Sequence, residues 1–280
     1  MISLIMATKG HRLNEIKRFV NSIEKVSRDL YELIIICQDE LGYLDEFYND
    51  YSYLPINIYY SKPGLSHARN VGLHKAKGEI LAFPDDDCVY TEHLIEDVVS
   101  FFMDNERADI LSINCFDLTN SYKLPYVSIK RSGYLKKRDI FYGISSISIF
   151  HRKDNEIFFD EKFGLGSECY SSEEFDYVIR LMQNRATLFF SDKYRVLHPD
   201  YKSVSYYKIK QKTKVNSIGH GCFLRKNFKL LGIFVPFELI VVRPLFGFIF
   251  YLITFRYKRA IYSKISLISR VKGFMRYRMN

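Results

Sequence analysis

Apolar and polar positions over the first hundred residues fall into two kinds of stretch. ISLIMAT (2–8), LIIIC (33–37), INIYY (56–60) and EILAF (79–83) are short, nearly continuous apolar runs, as expected of strands buried on both faces. Between them, 12–27 sets Leu13, Ile16, Phe19, Val20 and Ile23 at helical spacing, and 64–76 and 91–103 fit helices after the third and fourth runs. Strands separated by helices predict an α/β chain with a doubly wound, mainly parallel sheet. Ligands of such sheets gather beyond the carboxyl ends of the strands, here 7–9, 37–39, 61–64 and 84–88. The second half is less regular. Segments 144–150 and 187–191 read as strands, and 173–184 and 202–229 as helices.

From Leu230 to Phe255 the chain is strongly apolar, but Pro236, Glu238, Arg243 and Pro244 interrupt it. The longest uncharged piece, 244–255, falls short of the ~20 residues of an ordinary membrane span, so helices lying on a membrane surface are predicted. Charge sharpens this division. The net charge of +9 hides 17 Lys and Arg against one acid over 201–280, whereas residues 1–200 carry 24 bases and 31 acids. A nucleic-acid binder would not normally confine its charge this way, so no nucleic-acid partner is expected. The five cysteines are odd in number, widely spaced and without a C-x-x-C pair, which predicts reduced, buried thiols. The N-terminus lacks the basic region of a cleaved signal peptide.

The sharpest chemical feature is Pro84-Asp85-Asp86-Asp87-Cys88, directly after the EILAF run. Adjacent carboxylates at a strand tip repel one another unless positive charge sits among them, and a divalent cation shared with a diphosphate supplies it. An Asp-rich turn capping the helix near Thr91 is the other reading, and needs only one acid.

GLSHARNVGLHKAKGEILAFPDDDC (64–88) resembles family 2 glycosyltransferases of the GT-A fold, in particular those of bacterial capsule and exopolysaccharide synthesis. The resemblance extends from Thr8 and Asp39 at the first two strand tips to Ser172-Glu173-Glu174-Phe175-Asp176, and covers about 1–225. It implies that Thr8 lines the nucleotide pocket and Asp39 accepts a hydrogen bond from the base. Gln38-Asp39-Glu40 stands where the family often has Asp-Asp-Gly. Arg69 approaches the diphosphate, and Asp85 and Asp87 form the D-x-D pair with Asp86 between them on the donor side. Asp85, Asp87 and His198 are the implied ligands of Mg²⁺ or Mn²⁺, with His220 a weaker candidate. The stretch 163–181 resembles the family's acceptor loop and acidic helix. It makes Glu174 the base, with the adjacent Glu173 able to take that role.

The reading is an inverting, metal-dependent glycosyltransferase with a catalytic domain at 1–225 and a basic, apolar membrane-surface segment at 226–280. Its expected partners are a nucleotide-diphosphate sugar donor, a glycan or lipid-linked acceptor, and an anionic membrane surface. That places it in the cytoplasm on the inner face of the cell membrane. Two alternatives stay open from the residues alone. A metal-dependent nucleotidyltransferase also uses acidic strand tips, and a non-catalytic membrane-bound carbohydrate-binding protein would use the basic end.

Overall fold

The computed structural model describes residues 1–39, 42, 44–124, 126–154, 156–200 and 205–278. Glu40, and the first residues of the helix expected over 202–229, lie outside them. The chain divides into two compact units, Met1–Phe159 with Tyr177–Asp200, and Asp160–Asp176 with Tyr201–Asn280.

The first unit opens with β1 (Ile2–Thr8), α1 (Leu13–Ile23), β2 (Tyr31–Cys37), α2 (Asp45–Asp50), β3 (Ile56–Tyr60), α3 (Leu65–Lys75) and β4 (Ile80–Ala82). It continues through β5 (Val89–Tyr90), α4 (Leu94–Asp104), β6 (Ile110–Asp117), β7 (Gly133–Leu135), α5 (Ile140–Gly143) and β8 (Ile149–Arg152). Helix α6 (Glu173–Gln183), whose first turn belongs to the second unit, leads into β9 (Leu188–His198). Among the described residues the nine strands form one sheet, ordered β3-β2-β1-β4-β8-β6-β9-β5, with β7 on β9. Strands β1 to β4 pair in parallel, as do β6 and β9. Strand β8 runs against β4 and β6, and β5 and β7 run against β9. The sheet is therefore mixed but mainly parallel.

The apolar runs become strands for the anticipated reason. Every residue of β2 is buried, and Ile16, Phe19, Val20 and Ile23 of α1 pack into the same core. Strand β6 carries no comparable signal, because Ser112 and Asn114 interrupt its apolar residues although both are buried. Backbone carbonyls of α5 and of β9 take their protons: Ser112 Oγ donates to the Gly143 carbonyl, and Asn114 Nδ2 to that of Asp192 at 3.0 Å. The strand expected over 144–150 begins late. Ser146–Ser148 is a 3₁₀ turn, closed by a Ser145 N–H···Ser148 Oγ bond of 3.0 Å. The strand expected to end at 191 instead passes a bulge, where the partner of Ile113 is Ser191 and that of Asn114 is Arg195, and continues to His198.

The second unit contains 160–172, the first turn of α6, and α7 (Tyr206–Lys226), α8 (Phe228–Leu231), α9 (Phe234–Phe237), a π turn (Glu238–Val242), α10 (Arg243–Ile253) and α11 (Tyr257–Arg276). Helices α7 and α11 cross in close contact. A Cβ on Gly221 would lie 2.1 Å from the Arg270 carbonyl, and one on Gly273 2.0 Å from that of Ile218, so only glycine fits at either place. Contrary to expectation, Pro236, Glu238, Arg243 and Pro244 do not break the apolar stretch. Phe234–Ile253 is one continuous helix of 20 residues with mean hydropathy 1.8, by length and composition enough to cross a membrane. Pro236 and Pro244 each sit in the first turn of a helical segment, where a missing N–H is tolerated. The intervening π turn brings Glu238 and Arg243, five residues apart, into a 2.7 Å ion pair.

Candidate active site

Four strand ends of the first unit carry the predicted groups: Thr8 ends β1, Asp39 follows β2, Asp85–Asp87 follow β4, and His198 ends β9. Two of the four, those of β4 and β9, bring three residues together. Single ligand atoms of Asp85, Asp87 and His198 lie within 4.8 Å of one another, with Asp87 and His198 buried. His198 Nε2 is 3.2 Å from Asp87 Oδ1, while Nδ1 lies 2.9 Å from the Pro199 carbonyl. A carbonyl only accepts, so Nδ1 carries the ring proton and Nε2 faces the carboxylates. This is the orientation in which an imidazole binds a metal. Burial pulls the His198 pKa down, but its hydrogen bond to Asp87 and the charges of Asp87 and Asp85 outweigh this and leave it raised.

The third acid is used differently. Asp86 Oδ2 accepts from Thr8 Oγ1 at 2.7 Å and Oδ1 from Arg12 at 2.7 Å. Both oxygens of Asp86 thus face protein donors, and Thr8 spends its hydroxyl proton on Asp86. Burial raises the Asp86 pKa against the opposing pull of Thr8 and Arg12, and the neighbouring carboxylates add to the rise. The other arm of the Arg12 guanidinium binds Asp87 Oδ2, and Arg18 donates to the Asp87 backbone carbonyl at 3.2 Å. Asp87 accordingly offers Oδ1 toward His198 and keeps Oδ2 for Arg12. Neither arginine stands out in the sequence, where both read as the polar side of α1. The available signal is a base in the loop after one strand opposite an acid triplet after another.

Arg69, on α3, is only 2% exposed and lies over the adjoining rings of Phe83 (5.8 Å) and Phe159 (5.4 Å), with one nitrogen 3.4 Å from Asp85. The side chain of Asp85 is 41% exposed, so the cluster opens to solvent on that side. Asp39 stands apart from the acid triplet, paired with His11 at 3.3 Å. At the same tips Gln38 Oε1 accepts from the Gly64 N–H at 2.8 Å, tying the end of β2 to the start of α3.

The donor set fits a hard dication. Carboxylate oxygens suit Mg²⁺ or Mn²⁺, and Asp85 and Asp87, with the His198 imidazole beside them, would hold such an ion. Arg12, Arg18 and Arg69 meanwhile offset the surplus negative charge.

Glu173, Glu174 and Asp176 crowd the first turn of α6, in the second unit, where a helix N-terminus favours negative charge. The preceding turn is strained, with Tyr170 at φ 64° and Ser172 at φ 72°, both left-handed without glycine. It is held on α7: Ser171 Oγ donates to the Asn216 carbonyl at 3.2 Å, and Gly219 leaves the space a side chain would fill. Lys226 bridges Asp160 and Asp176, 2.7 Å from each, so Asp176 is a structural anion. Glu173 is buried and Glu174 partly exposed. His220 is half-buried, 5.6 Å from the Phe175 ring, and is not a member of the Asp85–Asp87–His198 group. The five cysteines are buried and free.

A sheet with acids, an imidazole and arginines at its strand tips is the architecture of a GT-A nucleotide-sugar enzyme. The glycosyl transferase family 2 model matches residues 3–158, more than half of the chain, and the protein belongs to that family. Among solved structures, S. aureus TarS 1–349 in complex with UDP is similar at a TM-score of 0.59 and 15% identity, over 97% of this chain and 91% of that one. The same protein in complex with UDP-GlcNAc gives 0.56 and 16%, over 97% and 92%. At such identities the likeness is one of fold. No curated protein sequence matches the chain. The protein is a glycosyltransferase that moves a sugar from a nucleotide sugar, which removes the nucleotidyltransferase and non-catalytic alternatives.

Proposed function

We propose that the protein is an inverting, metal-dependent glycosyltransferase that adds a sugar from a uridine-diphosphate sugar to a hydroxyl of a glycan or lipid-linked oligosaccharide. Such a reaction belongs to surface-polysaccharide synthesis. The observation that carries the metal-dependent reading is the convergence of Asp85, Asp87 and His198 at the tips of β4 and β9. The uridine base rests on TarS, a structure similar in fold that has been solved with UDP and with UDP-GlcNAc.

Asp85, Asp87 and His198 would hold the cation, which supplies positive charge where the diphosphate departs. Arg12 fixes Asp87 by its second oxygen and neutralises Asp86. Arg69 orients Asp85 and adds a second positive charge close to the leaving group. Asp39 reads the base, and Thr8 holds the floor of the nucleotide pocket through Asp86. Glu174 takes the proton of the acceptor hydroxyl as its oxygen bonds to the anomeric carbon. The bond from that carbon to the diphosphate oxygen breaks in the same displacement, and its electron pair leaves with the nucleoside diphosphate.

The test is release of nucleoside diphosphate from a panel of nucleotide sugars, with Mn²⁺ and with EDTA. Turnover of one or more UDP-sugars that stops in EDTA is expected. Undiminished turnover in EDTA would overturn the metal role, and turnover confined to other bases would overturn the uridine assignment.

A further inference from the structure

The continuous helix Phe234–Ile253 turns large apolar side chains to solvent on one side and packs the other within its own unit. Phe234, Phe246 and Ile253 are 84%, 69% and 70% exposed, and Phe237, Leu245 and Ile249 are exposed with them. In an unbroken α-helix Phe234 and Phe246 would point about 120° apart. The π turn between them under-rotates the chain and brings the exposed residues of α9 and α10 back toward one face. Leu239, Ile240 and Pro244 are buried on the opposite side. There Arg270 donates to the Leu239 carbonyl, Gly247 faces Ser263, and Arg259 lies over the Tyr251 ring at 5.8 Å. These three pairings run in opposite sequence directions, so α10 and α11 form an antiparallel hairpin.

The charges lie in the same unit. Residues 226–280 carry eleven Lys and Arg and one acid, Glu238, itself paired with Arg243. Helix α11 distributes Lys258, Arg259, Lys264, Arg270, Lys272 and Arg276 over its whole length. Twenty residues at 1.5 Å each match the ~30 Å hydrocarbon thickness, so length alone would allow Phe234–Ile253 to span a bilayer. The hairpin decides against it. A spanning α10 would draw α11 in beside it, and each Lys or Arg near the bilayer centre costs about 3 kcal/mol. In the interface the same cations reach headgroups, where each contributes roughly 1 kcal/mol with anionic lipid.

We infer that α9–α10 lies in the plane of an anionic membrane surface, its Phe- and Ile-rich face embedded below the headgroups and the bases of α11 among them. This rests on the second unit alone and not on the transfer reading. A chain that binds vesicles without transferring sugar would fail the one and keep the other.

The chain has no tryptophan, so Phe246→Trp and Ile253→Trp each install a single depth reporter. Seven residues separate these positions, about 10 Å along a helix axis. With phosphatidylcholine–phosphatidylserine vesicles brominated at defined acyl positions, both variants are expected to float with the vesicles and to be quenched equally by the shallow bromines. Depths differing by about 10 Å would establish a spanning helix and overturn the inference. Absence of flotation would also overturn it, and a dimer in vesicle-free buffer with both reporters shielded would assign the face to a second copy of the chain. The Phe246→Glu/Phe250→Glu double variant should bind at least ten-fold more weakly with unchanged release of nucleoside diphosphate in solution. Vesicle binding equal to the parent chain would overturn the proposal.

Discussion

The strand-tip cluster and the C-terminal helices both gather charge of one sign, and they balance it in opposite ways. At the tip of β4 three carboxylates sit together, and the chain covers them itself: Arg12 on Asp86 and Asp87, Arg18 on the Asp87 carbonyl, Arg69 on Asp85, His198 on Asp87. Asp85, Asp87 and His198 keep one ligand atom each within 4.8 Å of the others, a group that could hold a single metal ion. The second unit sets eleven bases over 226–280 against one acid in that segment, Glu238, and leaves Phe234, Phe246 and Ile253 in solvent. Glu238 meets Arg243, and Asp160 and Asp176 meet Lys226, so acids answer only part of this charge. The first arrangement is nearly closed and selects a small ligand. The second is open, and the proposed anionic membrane surface would answer it.

The strongest way to break the closed arrangement is to remove its chemistry. Asp87→Asn leaves the shape but withdraws charge from His198 and Arg12 together, and sugar transfer should fall at least a thousand-fold, with Mn²⁺ binding lost by calorimetry. Retained Mn²⁺ binding would mean that Asp85 and His198 suffice. Glu174→Gln should lower transfer by the ~10²–10⁴ of a lost general base while leaving donor binding nearly unchanged. Glu173→Gln should cost far less, and the reverse ordering would move the base by one residue.

Arg12 gives a smaller and more discriminating effect. It acts by holding Asp86 and Asp87. Arg12→Gln should weaken Mn²⁺ binding by the ~10–100-fold typical of lost outer-shell support, with Arg12→Lys recovering part of it. A purely structural role would instead lower the melting temperature of both variants without changing the affinity of the fraction that remains folded.

How much of this was readable in the sequence follows the same division. Strands β1, β2 and β4 are apolar and buried, and β3 is the half-exposed edge strand of the same parallel set. Their tips therefore delivered Thr8, Asp39 and the acid triplet at the right end of the sheet. Strand β6 was hidden because Ser112 and Asn114 donate to the distant Gly143 and Asp192 carbonyls, contacts that no local pattern encodes. The Arg12 clamp was hidden for a related reason: its partners lie more than seventy residues away. The prolines and charges of 234–253 misled in the other direction. Each is locally a helix breaker or an intruder, yet first-turn placement and a π turn that pairs Glu238 with Arg243 make them compatible with one helix.

The smallest expected effect tests whether the charge contrast reaches the interior of each unit. Each contains a histidine that desolvation keeps neutral, His151 fully buried and His220 half-buried. Burial lowers the His151 pKa to about 4, with the Arg152 carbonyl and the Asp154 charge pulling it back up. Burial lowers the His220 pKa to about 3, and the Arg270 charge pushes it further down. The unfolded chain takes up these protons near pH 6.5 and the folded chain does not, so stability falls as pH drops through 6.5 and levels off only near 4 for His151 and near 3 for His220. At pH 5 each group would cost about 2 kcal/mol in the limit of a rigid interior, and about half that once water enters. His220→Leu should therefore flatten the loss of stability in urea melts between pH 7 and 5. Titration followed through the imidazole NMR signals should show His151 protonating before His220. The reverse order would mean that Arg270 does not act on His220 and that the basic character of the second unit is confined to its surface.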